Sequence, residues 1–386
     1  MNCKRLLSAV LRRMAWVGCF FLPVQKNKVV FSSYCGKGYG DNPKAIAEAL
    51  RKRNEDIRMI WLVKDPAFAA TVPADITCVS YNSPAAPYHL ATAKVWVDNC
   101  RKMYGYKKKS QFYMQTWHGL GIKRVEADVA DKLSKLYVKT AKKDSKAIDV
   151  IISEGSYMSR LYQTVFWYDG PVAEWGAPRN DVILDPTLSK TATAVVRSAY
   201  GLQENEKIVL YAPTFRSNRS LEPYNLDMER LKNACERRFG GTFRVMVRLH
   251  PNISKKSHLL GYGPDVIDAT GYDDMQQLLS CADVVVSDYS TLMLDFSLSG
   301  KPCFRYAADL EAYKKDRDFY FGVEDFPYPL GQTNDELMEK ILNFDMEAYG
   351  KALEEFLNTA GMVREGRSAM RCAEHISRLC RGEAEK

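Results

Sequence analysis

Short runs of branched and aromatic residues alternate with helix-patterned stretches along most of this chain, and nearly every run ends in a polar turn. Val29–Ser33, Arg58–Val63, Ile76–Ser80, Lys94–Asp98, Phe112–Thr116 and Val150–Ser153 have the length and composition of buried strands. Asn42–Lys52 reads as a helix, with Asn42 as its cap and Pro43 at its first position. Strands that alternate with helices build parallel sheets covered on both faces. The signal fades over Asp185–Thr193. It restarts with Lys207–Tyr211, Arg244–Arg248, Val266–Asp268, Asp283–Ser287 and Cys303–Tyr306. The expected fold is α/β, with two Rossmann-like, doubly wound domains facing a cleft. The expected segments are 1–27, 28–188 and 189–386, and the chain from Asn334 onward reads as helical and charged.

In such sheets, ligands bind beyond the carboxyl ends of the strands. The chemically active residue types collect there. Trp117-His118-Gly119-Leu120-Gly121 sets a histidine in a glycine-bracketed turn, where a backbone can approach a ligand closely. His118 has the residue type of a general base for a hydroxyl nucleophile. The alternative is a histidine that only hydrogen-bonds within its turn. Tyr211-Ala-Pro-Thr-Phe-Arg216 ends a strand in arginine, and Arg248-Leu-His250-Pro251 ends one in both Arg and His. Arginine suits bidentate phosphate contacts, although each of these residues is also acceptable as a surface cation. Val284-Val-Val286 runs into Ser287-Asp288-Tyr289-Ser290-Thr291, and Gly300 and Pro302 end the segment that follows. Ser290 and Thr291 either cap that helix or sit with its N–H groups around a phosphate. Together with Arg216, Arg248 and His250 they outline a diphosphate cradle in the second domain. Gly176-Ala-Pro-Arg179-Asn180-Asp181 is a turn and helix start between the domains, read either as a ligand contact or as a hinge with caps.

The formal charge of +8 is unevenly placed. Residues 1–28 carry six Lys/Arg and no acid, and residues 101–146 carry thirteen basic against four acidic residues. Such a field attracts nucleic acid or an anionic membrane. The apolar run Met14–Val24 is eleven residues long, short of the about 20 that span a bilayer. With its basic flanks it reads as an interfacial anchor, with a buried helix or a signal-peptide core as alternatives. Lys132, Lys135, Lys139, Lys142 and Lys146 recur at helical spacing beside Val129, Leu133 and Leu136. They form a membrane-facing basic face or a plain solvated one. Ten scattered cysteines without a CxxC pair suit a reducing cytosol. There is no GxxxxGK[ST], HExxH or GxSxG signature. The close-set pair Asp316-Arg-Asp318 follows a helical stretch rather than a strand, so no metal is assigned.

Gln115-Thr-Trp-His-Gly119, Gly176-x-Pro-Arg-Asn-Asp181, Tyr211-Ala-Pro-Thr-Phe-Arg216, Arg248-x-His-Pro251, Ser287-Asp-Tyr-Ser-Thr291 and Asp309-Leu-Glu-x-Tyr313, in that order, resemble the CDP-glycerol glycerophosphotransferase family. The resemblance spans about residues 110–320. It implies a GT-B arrangement and transfer of glycerol phosphate, or ribitol phosphate, from a CDP-activated donor to a lipid-linked or glycan acceptor. CMP is released, and a teichoic-acid-like or capsular polymer is built at the cytoplasmic face of the membrane. Carried over by position, His118 is the base. His250 is a second candidate catalytic residue. Arg216, Arg248, His250, Ser290 and Thr291 face the donor's phosphates, and Asp288 is structural or contacts the donor. The family often has Thr-Pro after His-Gly; here Leu120-Gly121 follows, so the acceptor side is expected to differ. The implied partners are the donor, the acceptor and an anionic membrane surface, without nucleic acid. Two rival readings are a GT-B glycosyltransferase using a nucleotide sugar, and a nonenzymatic basic membrane- or nucleic-acid-binding protein.

Overall fold

The computed structural model describes residues 14–102, 107–216, 220–250, 253, 263, 265–316, 319–320, 322 and 325–383. The chain forms two compact units. Each unit is built on a wholly parallel sheet.

The first sheet holds β1 (Gln25–Ser32), β2 (Arg58–Val63), β3 (Thr77–Ser80), β4 (Ala93–Asp98), β5 (Phe112–Gln115), β6 (Val150–Ile152) and β7 (Val172–Ala173), in the order β3-β2-β1-β4-β5-β6-β7. The second holds β8 (Glu206–Tyr211), β9 (Thr242–Val247), β10 (Val266–Asp268), β11 (Val284–Ser287), β12 (Cys303–Tyr306) and β13 (Leu330–Gly331), in the order β10-β9-β8-β11-β12-β13. The strand order reverses between β1 and β4 in one sheet, and between β8 and β11 in the other. In a doubly wound sheet that reversal opens a crevice at the carboxyl ends of the strands. The α/β, GT-B-like expectation is met by these two sheets and their helices. β7 and β13 have no sequence signal because two residues are too few to show a period.

The central strands carry near-continuous apolar runs because both of their faces are covered. Val29, Phe31, Trp61, Val95, Val97 and Met114 are buried in one core with Ile46, Ala47 and Leu50 of the helix Asp41–Lys52. Cys372, Ala373, Ile376 and Leu379 of the last helix, Ser368–Arg381, fill the same core. That apolar face returns the chain to the first unit, which takes Val125–Asp181 and the residues from Glu365 on besides those up to His118. Residues Gly119–Arg124 belong to the second unit, where Tyr320 N–H donates to Ile122 C=O at 2.9 Å. A division at residue 188 has neither exchange.

Two local expectations are corrected. Asn42 does not cap its helix. The helix begins at Asp41 after Gly40, without a side-chain cap, and Asn42 is drawn to partners elsewhere. Nor do the five lysines share one helix. Lys132 ends a 3-10 segment, Glu126–Lys132, and the α-helix Lys135–Ser145 starts afresh behind Ser134, whose hydroxyl accepts from Tyr137 N–H at 3.2 Å. All five lysines are nevertheless exposed.

Candidate active site

His118 is set by the turn after β5. Its imidazole Nδ1 lies 2.6 Å from the Asn99 carbonyl oxygen, just past β4. A carbonyl only accepts, so Nδ1 carries the hydrogen and the neutral ring keeps its lone pair on Nε2. The ring lies on Trp117, with centroids 4.5 Å apart, and meets the edge of Tyr34 at 5.4 Å. Burial lowers the imidazole pKa from its ordinary 6.5, against the opposing pull of the Asn99 bond. The residue is therefore a neutral base of fixed tautomer at neutral pH.

The loops around His118 are strained. Tyr34, Cys35, Asp41 and Trp117 all have positive φ, between 45° and 59°. Such residues cost about 1–3 kcal/mol each and persist only where the surroundings over-determine them. Those surroundings are visible. Tyr34 N–H donates to Asn99 Oδ1 at 2.7 Å, and its hydroxyl donates to Asp41 Oδ2 at 2.6 Å. Asn42 Nδ2 donates to the carbonyls of Thr116 (3.3 Å) and Trp117 (3.1 Å), and Asn42 Oδ1 accepts from Arg179 N–H at 3.0 Å. One buried amide thus ties the His118 turn to the Gly176–Asp181 turn.

Of that second turn, Arg179 is buried with its guanidinium 3.7 Å from Glu154. Asn180 is buried, and Gly176 N–H donates to Ser153 C=O at 2.9 Å. Asp181 accepts from Ser368 N–H (3.0 Å) and Ala369 N–H (2.7 Å), so it caps the last helix from a distant part of the chain. Asp181→Ala should cost about 0.5–2 kcal/mol, as loss of a helix cap does. A urea midpoint equal to wild type would show that the cap carries no weight.

Beside the His118 turn, with the Arg101 guanidinium 5.8 Å from the Trp117 ring centroid, lies an ion cluster that the sequence did not announce. Arg101 pairs with Glu126 at 3.0 Å and Asp144 at 3.5 Å, and Lys102 pairs with Asp98 at 2.7 Å, all buried. Burial pushes the Asp144 carboxyl up to about 7 against the pull of Arg101. Lys28 is also interior, bonded to Thr92 Oγ1 at 2.7 Å. Three of the cations counted toward a surface field therefore lie inside the protein.

In the second unit, Arg216 follows β8 and is nearly closed to solvent. It binds Asp309 through Nε (2.6 Å) and one terminal nitrogen (2.9 Å), Asp288 at 2.8 Å and the Thr214 carbonyl at 2.6 Å. Four of its five N–H groups are thus committed within the unit. Its guanidinium also lies 4.9 Å from the ring centroids of Tyr289 and Tyr313, which stack on each other at 3.8 Å. Asp288 accepts from Thr214 N–H (2.8 Å) and Tyr289 N–H (2.6 Å). Arg216 and Asp288 therefore frame the Ser287–Thr291 turn, which is the structural one of the two readings open for Asp288. Asp309, the partner that completes the frame, is 21 residues beyond Asp288 in the sequence.

The residues that the frame presents are half-buried Ser290 and Thr291. Ser290 Oγ accepts from Leu292 N–H at 3.4 Å, and the helix that follows, Leu292–Ser297, is only six residues long. His250, past β9, is exposed, with its ring 5.6 Å from Phe215. Arg248 donates to the Tyr272 carbonyl from Nε (3.2 Å) and a terminal nitrogen (3.0 Å). Among the described residues no group of three or more His, Cys, Asp or Glu could hold a metal ion. Asp318 lies outside them.

A family model described as CDP-Glycerol:Poly(glycerophosphate) glycerophosphotransferase matches residues 15–378. The chain is 29% identical over 359 residues to a teichoic acid poly(glycerol phosphate) polymerase of Staphylococcus epidermidis, which covers 90% of this chain and 50% of that protein. It is 27% identical to a teichoic acid glycerol-phosphate transferase of Staphylococcus aureus, across 91% and 93% of the two chains. This chain therefore spans about half the length of the polymerase and nearly all of the transferase. A variant of the wall teichoic acid polymerase TagF, solved after a CDPG soak, superposes with a TM-score of 0.85 at 25% identity, over 99% of each chain.

Proposed function

The chain belongs to the CDP-glycerol:poly(glycerophosphate) glycerophosphotransferase family, and from that premise we propose that it transfers glycerol phosphate from CDP-glycerol to an acceptor hydroxyl in the synthesis of a teichoic-acid-like polymer, releasing CMP. The observation that carries the reading is His118, whose Nδ1–H is committed to a backbone carbonyl at 2.6 Å and whose Nε2 lone pair is left for a proton. The acceptor oxygen forms a bond to the phosphorus that carries glycerol. The P–O bond to CMP breaks, CMP leaves as the anion, and the hydroxyl proton passes to His118 Nε2. Arg248, His250, Ser290 and Thr291 are the groups that would bind the donor's phosphates and offset the charge on the departing CMP. Arg216 and Asp288 act on the donor through the shape of the Ser287–Thr291 turn.

CMP release by purified protein, compared across CDP-glycerol, CDP-ribitol and several nucleotide sugars with a crude membrane acceptor, tests the donor. Release from CDP-glycerol is expected. Turnover of a nucleotide sugar alone would move the chemistry to glycosyl transfer.

Peripheral attachment to an anionic membrane belongs to the same reading. Met14, Val17 and Phe21 expose 61–84% of their surface while Trp16 is buried edge-on against Trp96. An apolar face with an anchored root of this kind suits the interface of a bilayer. Leu136 lies exposed among the lysines of the helix Lys135–Ser145. Among the described residues no helix is long and apolar enough to cross a membrane. Anionic vesicles should co-sediment the protein, and removal of residues 1–26 should weaken that binding. Full binding after truncation would leave the attachment to the lysines alone.

A further inference from the structure

We propose that Cys35 and Cys100 form an oxidation-sensitive dithiol, which peroxide converts into a disulfide beside His118. The two residues lie just past the adjacent parallel strands β1 and β4, where Ser32 and Asp98 are in register. Tyr34 N–H bonds Asn99 Oδ1 at 2.7 Å and clips the two turns together. The thiols hydrogen-bond each other. Cys100 Sγ lies 3.9 Å from His118 Nδ1. Both side chains are half-buried, while five of the nine described free cysteines are buried.

The surroundings divide the roles. The hydrogen bond from Cys100 lowers the Cys35 pKa, burial and the Asp98 carboxylate oppose it, and Lys64 and Lys102 assist, with a net lowering. The bond to Cys35 and burial raise that of Cys100. Cys35 is thus the thiolate that meets an oxidant, and Cys100 is its resolving partner. The Cys35 thiolate attacks hydrogen peroxide. It takes one oxygen as sulfenic acid, and hydroxide leaves and is protonated to water. The Cys100 sulfur then displaces the sulfenic hydroxyl, its own proton leaves with that hydroxyl as a second water, and the S–S bond forms. Peroxide is reduced by two electrons and the thiol pair is oxidised by two.

A disulfide holds its sulfurs at about 2.05 Å, far closer than two hydrogen-bonded thiols. Closing that gap moves Cys100, and with it the Asn99 carbonyl that fixes the His118 tautomer. The consequence for activity rests on the reading of His118 as the base; the disulfide itself does not.

The test treats the full-length protein with hydrogen peroxide and reads two things separately. Peptide mapping without reductant should give a cross-linked Cys35–Cys100 pair. CMP release from CDP-glycerol should fall about tenfold or more and return with dithiothreitol. Cys35→Ser should keep its basal activity and resist peroxide. Cys100→Ser should trap dimedone at Cys35. Absence of the Cys35–Cys100 peptide would overturn the proposal, whereas its formation with activity unchanged would uphold the dithiol and overturn its link to His118.

Discussion

His118→Ala is expected to lower kcat for CMP release by about 10²–10⁴-fold, the usual contribution of a positioned general base. The side chain is half-buried and its described polar contacts are the Asn99 carbonyl at 2.6 Å and the Cys100 thiol at 3.9 Å, so the fold should survive its removal. The effect should therefore be in kcat rather than in expression or thermal midpoint. The pH profile provides a second readout. Burial sets the imidazole pKa below its ordinary 6.5, so the base is neutral at pH 7 and is lost only as pH falls through that lowered value. Wild-type kcat/KM should be flat near neutrality and drop on the acid side. His118→Ala should lose that inflection. An acid limb that persists unchanged in the variant belongs to another group.

Arg216→Ala should destabilise the second unit by about 3–5 kcal/mol, the cost of removing one partner from a buried ion pair. The Arg216 side chain is 6% exposed and that of Asp288 only 1%, so the carboxylate left behind has neither cation nor water. Asp309, 19% exposed, recovers some hydration. Burial works against the charge on Arg216, but Asp309 and Asp288 more than offset it and raise its pKa. The measurement has a built-in contrast. All six tryptophans precede Asp181, so indole fluorescence reports the first unit, whereas far-UV circular dichroism reports both. The dichroism midpoint in urea should fall. An unchanged midpoint would mean that the frame of Asp288 and Asp309 stands without its cation. Arg216→Lys should recover little of the loss, because an ammonium cannot replace a fork that bridges two carboxylates.

Both predictions bear on what a reader of the sequence could and could not see. The eleven longer strands were legible within a residue or a few at their ends, because a strand buried on both faces is a short apolar run with a polar stop. His118, Arg216 and Ser290 were legible as strand-end residues for the same reason. Their roles were harder to read. Nothing local to Arg216 reveals Asp309, which reaches it from beyond the next strand. Asn42 looked like a helix cap, since its partners Thr116, Trp117 and Arg179 are 74 to 137 residues away. Asp181 looked like a cap for the helix after it, yet caps one 187 residues on. Local pattern thus located the groups. Long-range hydrogen bonds decide which of them are tied into the frame.

The most direct measurement supplies CDP-glycerol labelled in the glycerol to purified protein and a polyol-terminated membrane acceptor, and follows label and CMP together. The account predicts one labelled glycerol phosphate on the acceptor for each CMP released, both lost in His118→Ala. Label recovered as free glycerol phosphate, or CMP formed equally well by His118→Ala, would contradict it.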